Sequence, residues 1–122
     1  MKQTYQTGVS GELAAEKYLC EIEGMICLER RYRTRGGEID LVMLAGDMIV
    51  FVEVKTRKTG SQGNGLLSVN AAKQKRVAKA AMLYLMNRHW LNRAVRFDVV
   101  EIHPEGILHV PNAFQPGGIF YA

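Results

Sequence analysis

The stretch Gly37-Glu38-Ile39-Asp40-Leu41-Val42-Met43-Leu44-Ala45-Gly46-Asp47-Met48-Ile49-Val50-Phe51-Val52-Glu53-Val54-Lys55 decides the fold. Two apolar, β-branched runs, 38–45 and 48–57, are separated only by Gly46-Asp47, which reads as a hairpin closed by a two-residue I′ or II′ turn. In that register Ala45 faces Met48, Asp40 faces Glu53 and Glu38 faces Lys55. Period-two alternation then sends all four charged side chains to one face. Like charges directly opposite each other destabilise a sheet, so Asp40 against Glu53 demands a reason. Val50, Val52 and Val54 line one face of the second run, while Ile49 and Phe51 begin the other. A strand apolar on both faces is central and covered. Glu53 and Lys55 therefore sit at the end of a buried strand, where charge is expensive unless paired or bound to metal.

Two explanations fit these residues. Asp40, Glu53 and the backbone carbonyl of Val54, completed by water, form an oxygen-rich set suited to Mg²⁺ or Mn²⁺. Lys55, one pleat beyond Glu53, then points at whatever approaches the metal, where it can orient a water or offset charge on a phosphate oxygen. Alternatively the four residues are a buried ion-pair cluster, with Glu38 paired to Lys55 and Asp40 held by local hydrogen bonds. The residues alone leave both open.

Working outward, Ala15, Tyr18, Leu19 and Ile22 recur at helical spacing within 8–23, and Gly24 closes that helix. Residues 25–33 read as a strand, and Arg35-Gly36-Gly37 as a turn. A polar, Gly-rich loop at 58–67 leads to a long helix over 68–88 with Ser68 as its N-cap. Strands follow at 94–103 and 107–110, and residues 1–7 and 115–122 read as loose ends. The order is α-β-β-β-α-β-β. Three strands with short turns make a meander, and the long helix crosses over to a parallel fourth strand. The fold class is α/β, a single mixed β-sheet with a helix on each face.

At 122 residues the chain fits one domain, 1–122, with ordinary values of 48% hydrophobic and 23% charged residues. No apolar run is long enough for a membrane span and the first residues lack an apolar leader, so the expected location is cytoplasmic. Cys20 and Cys27 have no metal-ligand spacing and read as reduced thiols. The net charge of +4 is compatible with an anionic partner and proves none.

An acidic residue on the first helix, the Gly37–Leu41 segment and the Phe51–Lys55 segment together resemble the PD-(D/E)xK nuclease superfamily. More closely, the chain resembles the small bacterial YraN-like family, itself similar to archaeal Holliday-junction resolvases. The likeness runs through Gly11-Glu12, Ala15, Tyr18-Leu19, both strand segments, Ser68-Val69 with Lys73, the 96–100 run and Asn112-Ala113-Phe114. It implies a restriction-endonuclease-like core. It also implies that Asp40 and Glu53 bind metal, that Lys55 serves the attacking water, that Glu12 helps bind metal or orient that water, and that Lys73 on the following helix contacts the nucleic acid or the site. DNA, branched DNA included, is the implied partner, and resolvases that cut two strands symmetrically act as homodimers. The chain departs from the pattern in having Ile39 where the name-giving proline stands, and Arg31 where relatives often carry Asn.

Lys73 lies four residues before Val77, seven before Ala80 and eleven before Tyr84, inside an apolar stripe, where a lysine must snorkel or find an anion. Arg33, Arg57 and Lys58 flank the candidate site in sequence and suit phosphate contacts. Asp98 reads as a strand-edge hydrogen-bond partner of Arg96 or its neighbours, and His89, His103 and His109 carry no metal-ligand spacing. The leading expectation is a metal-dependent endonuclease acting on DNA. The competing one is a nucleic-acid-binding or protein-interaction module on the same fold that does not cut.

Overall fold

The Gly46-Asp47 turn closes the β2–β3 hairpin, β2 being Gly37–Ala45 and β3 Met48–Thr56. Gly46 takes φ 62° while Asp47 stays at negative φ, the pattern of a II′ turn, whose twist matches the strands it joins. The computed structural model describes residues 2–57 and 69–116, without the side chains of 2–9. The remaining elements are α1 (Lys2–Glu21), β1 (Ile26–Thr34), α2 (Ala71–Arg88), β4 (Val95–His103) and β5 (Gly106–Val110).

The strands form one sheet in the order β1-β2-β3-β4-β5, with β3 parallel to β4 and every other pair antiparallel. A parallel neighbour needs a long connection, and α2 lies within it. This is the expected mixed α/β sheet in the expected element order. Helix α1 covers one face through Ala15 and Leu19, against Leu41, Met43, Val50, Val52 and Val100. Helix α2 covers the other through Val77, Ala80, Ala81, Tyr84 and Leu85, against Ile39, Val42, Ile49, Phe51, Phe97 and Val99. Phe51 stacks on Phe97 at 5.3 Å between centroids, and Tyr84 meets Tyr32 edge-on at 5.2 Å. These rings fix α2, and with it Lys73, over the sheet.

Three boundaries differ from expectation. Residues 2–7, read as a loose start, belong to α1, which begins at Lys2 and not at residue 8. At its other end the helix stops at Glu21, so Ile22 falls past the last turn and is exposed. Helix α2 begins at Ala71, and its cap is Asn70, whose side chain accepts from the Lys73 N–H at 2.9 Å. An Asn carbonyl satisfies that orphan N–H as well as a hydroxyl would. Ser68, the expected cap, and the 58–67 loop lie outside the described residues, as do 117–122.

Candidate active site

The hairpin register holds from Ala45↔Met48 to Leu41↔Val52 and stops there. Asp40 and Glu53 are consequently not a ladder pair, contrary to the simple extrapolation. Leu41 packs in the α1-side core, whereas Ile39, two residues earlier, packs in the α2-side core. Strict alternation would place both on one side, so the strand turns over at Asp40. The neighbouring strand does the same: Arg30 reaches Glu16 of α1, while Tyr32 packs against Tyr84 of α2. Between them Arg31 stands at φ 49°, a left-handed conformation rare outside glycine.

The local turn-over opens a fork between β2 and β3, and Asp40 fills it. Its Oδ2 accepts the Val54 N–H at 2.8 Å, so a carboxylate replaces the strand carbonyl that would have taken that proton. Burial raises the Asp40 pKa above the ordinary carboxylate range; the Val54 N–H and Lys73 oppose the rise, and the Glu12 and Glu38 charges add to it.

Glu53 follows on β3 and is 1% exposed. Lys73 Nζ lies 3.2 Å from its Oε1, off the direction of a hydrogen bond, and neither carboxylate oxygen accepts a hydrogen bond among the described residues. Burial first, and then the charge of Asp40, push Glu53 up to about 7, against the pull of Lys73. The lysine inside the apolar stripe of α2 thus found its anion.

Lys55 projects from the same face of β3 as Glu53 and is half-buried. Among the described residues it makes no hydrogen bond or ion pair. Its expected partner Glu38 is exposed and lies 3.4 Å from Arg33 instead, because the fork has carried β2 away from β3. Glu12, on the buried side of α1, accepts from Arg31 Nε at 2.7 Å. Arg31 is a site residue that the sequence reading passed over; its signal was its departure from Asn. Arg57, expected to face nucleic acid, reaches the buried Glu101 at 3.5 Å, and His103 Nε2 sits 2.7 Å from the same carboxylate. Lys58 lies outside the described residues.

The structure therefore brings together Glu12, Arg31, Asp40, Glu53 and Lys73, with Lys55 one pleat away. No three His, Cys, Asp or Glu side chains among the described residues stand close enough to hold a metal by themselves. Asp40 and Glu53 are two carboxylates, and the third, Glu12, is turned to Arg31.

Comparison with known proteins places these features in one family. Residues 11–102 match the model of the Uncharacterised protein family UPF0102, a span that holds every residue of the site. The chain belongs to the UPF0102 family. A UPF0102 protein of Geobacter metallireducens is 46% identical over 112 residues, 88% of this chain and 91% of that one. A UPF0102 protein of Syntrophus aciditrophicus is 44% identical over 119 residues, 94% and 93% of the two chains. One from Stutzerimonas stutzeri is 40% identical over 120 residues, 94% and 99%. The UPF0102 match runs from the second half of α1 through all but the last residue of β4, and these relatives align over 88–94% of this chain. Among the described residues no helix is long and apolar enough to cross a membrane.

Proposed function

We propose that this UPF0102 chain is a metal-dependent endonuclease that hydrolyses phosphodiesters in DNA, built on a restriction-endonuclease-like PD-(D/E)xK core, with branched DNA as its candidate substrate. The observation that carries the reading is Glu53: a buried carboxylate beside a second carboxylate, with no well-directed hydrogen bond on either oxygen and the Lys73 ammonium as its counter-charge. A buried charge left this way costs several kcal/mol, roughly, unless something absent from the chain itself satisfies it. The oxygen-only donor set fits a hard divalent cation, Mg²⁺ or Mn²⁺, held by Asp40, Glu53 and the Val54 carbonyl. Such an ion, when bound, supplies Lewis-acid stabilisation of charge on a phosphoryl oxygen.

The chain's own residues have separate tasks. The Val54 N–H fixes one oxygen of Asp40 and leaves the other free. Arg31 holds the Glu12 carboxylate, so that Glu12 orients water through its position. Lys55, with no ion pair among the described residues, donates to the attacking water or to a phosphate oxygen. The water oxygen bonds to phosphorus as the bond to the departing sugar oxygen breaks; the water proton passes to bulk solvent, and the departing sugar oxygen takes up a proton from solvent in return. A phosphate monoester and a sugar hydroxyl result.

The second reading, a module that binds without cutting, is favoured by the two cations already lodged in the site: Lys73 on Glu53 and Arg31 on Glu12. One assay separates the two. Purified protein and its Asp40→Ala variant are incubated with synthetic four-way junction, flap, single-stranded and linear duplex DNA in Mg²⁺ or Mn²⁺. Metal-dependent cutting that vanishes in the variant is the expected result. Cutting that persists in the variant overturns the assignment, and tight salt-sensitive binding without cutting supports the module.

A further inference from the structure

Beside the carboxylates, the β1–β2 turn and the first turns of α2 enclose a groove of about 310 Å³, lined by Thr34, Arg35, Gly36, Gly37, Glu38, Lys73 and Arg76. Three cations face one acid there, and that acid, Glu38, is already beside Arg33. Neither Arg35 nor Arg76 forms an ion pair with any described residue, and both are exposed. Unpaired guanidiniums on the two walls of one concavity are the arrangement that takes a phosphate, because the planar fork matches its oxygens.

The walls are set before any ligand arrives. Thr34 Oγ1 accepts the Gly37 N–H at 3.1 Å and donates to the Gly37 carbonyl at 2.9 Å, which locks the turn carrying Arg35. That turn lies so close to α2 that a Cβ on Gly37 would stand 1.9 Å from the Arg76 carbonyl oxygen. Backbone touches backbone, so the two elements that carry Arg35 and Arg76 are held against each other and only the arginine side chains remain to be ordered. Preorganisation of this kind lowers the ordering cost of binding. Lys73 belongs to both places: it lines the groove and it reaches Glu53.

We infer that the groove formed by Arg35, Arg76 and Lys73 is a subsite for a backbone phosphodiester, next to the one that would lie at Asp40 and Glu53. The inference rests on the nuclease reading for its ligand, and it adds Arg35 and Arg76, which that reading does not use. Glu38 sets the limit of the subsite, since its charge excludes a second anion from that rim.

The test measures binding without turnover. Fluorescence anisotropy of a labelled linear duplex and a labelled four-way junction, in EDTA and over a range of salt, compares the wild-type chain with Arg35→Gln/Arg76→Gln and with Lys75→Gln. Lys75 is exposed on α2 and does not line the groove. The expected result is a loss of about tenfold or more in affinity for the double variant, with a salt slope shallower by about one. Lys75→Gln changes little. Equal small losses in both variants, with an unchanged slope, mean diffuse attraction only and overturn the subsite. A wild-type chain that binds neither DNA overturns it as well. Cleavage of the same substrates in Mg²⁺ is scored separately. A double variant that binds like wild type while wild type cuts removes the subsite and leaves the nuclease. A groove-dependent affinity without cutting removes the nuclease and keeps the subsite.

Discussion

Asp98 and Glu53 lie on adjacent parallel strands, each 1% exposed or less, and the protein treats them in opposite ways. Asp98 receives Arg96 Nε and Nη2 at 2.8 and 2.9 Å, the Asn112 N–H at 2.9 Å, and His109 Nε2 at 2.8 Å. Burial alone would raise its pKa, but the His109, Arg96 and Asn112 contacts outweigh burial and hold it below the ordinary range. Glu53 has one ammonium at 3.2 Å and no hydrogen bond, and rises to about 7. Both are charges in a sheet core. The first is finished, and ties β4 to β5 and to the segment after it. The second is left open. Burial of a carboxylate does not by itself mark a functional residue; an unfilled set of acceptors does.

The largest effects that sharpen this contrast concern catalysis. Glu53→Gln or Lys55→Ala is expected to lower the cleavage rate by about 100- to 1,000-fold or more, while Asp98→Asn, assayed at a temperature where it stays folded, remains within a few-fold of wild type. Equal losses at Glu53 and Asp98 would erase the distinction. Stability should move the other way. Asp98→Ala strands Arg96 and loses about 3–5 kcal/mol in urea denaturation.

Glu53→Gln is expected to gain about 2 kcal/mol at pH 8 and nothing near pH 4. The sign follows from a folded pKa of about 7 against an ordinary value of 4.5. The folded state holds the Glu53 proton more tightly, so this group's contribution is full at low pH and is lost as pH rises through 7. A variant destabilised at pH 8 would mean that the Lys73 ion pair outweighs the cost of burying the carboxylate. Cation binding provides a third check, because a ligand carboxylate must first shed its proton. Mn²⁺ affinity, measured by calorimetry, is expected to climb by up to about tenfold per pH unit toward 7 and to level off above it. The smallest shift belongs to Lys73→Gln, which removes the cation beside Glu53 and should move that midpoint upward by about 1 pH unit.

The hairpin was the most legible part of the molecule, since apolar runs around Gly46-Asp47 admit one register and the strands keep it from Ala45 to Leu41. The parallel direction of β4 followed from the length of the crossover, whereas its place beside β3 did not. The fork was not legible. It depends on a left-handed Arg31 one strand away, and no local pattern announces that a strand will turn over opposite an arginine. Lys73 was readable because an ammonium within an apolar stripe must find a partner, although the stripe could not name Glu53. Asp98 was half readable: Arg96 two residues away shares its face, but His109 and Asn112 arrive from β5 and beyond. Glu101, His103 and Arg57 were missed as a group, since only the parallel register brings β3 beside β4.

The Val54 amide carries a consequence of its own. Its proton is held by a side chain whose charge changes with whatever enters the site, whereas neighbouring strand amides in the hairpin face carbonyls that never titrate. In a ¹⁵N-resolved spectrum that resonance becomes an internal voltmeter for Asp40, reporting proton or cation arrival at the fork.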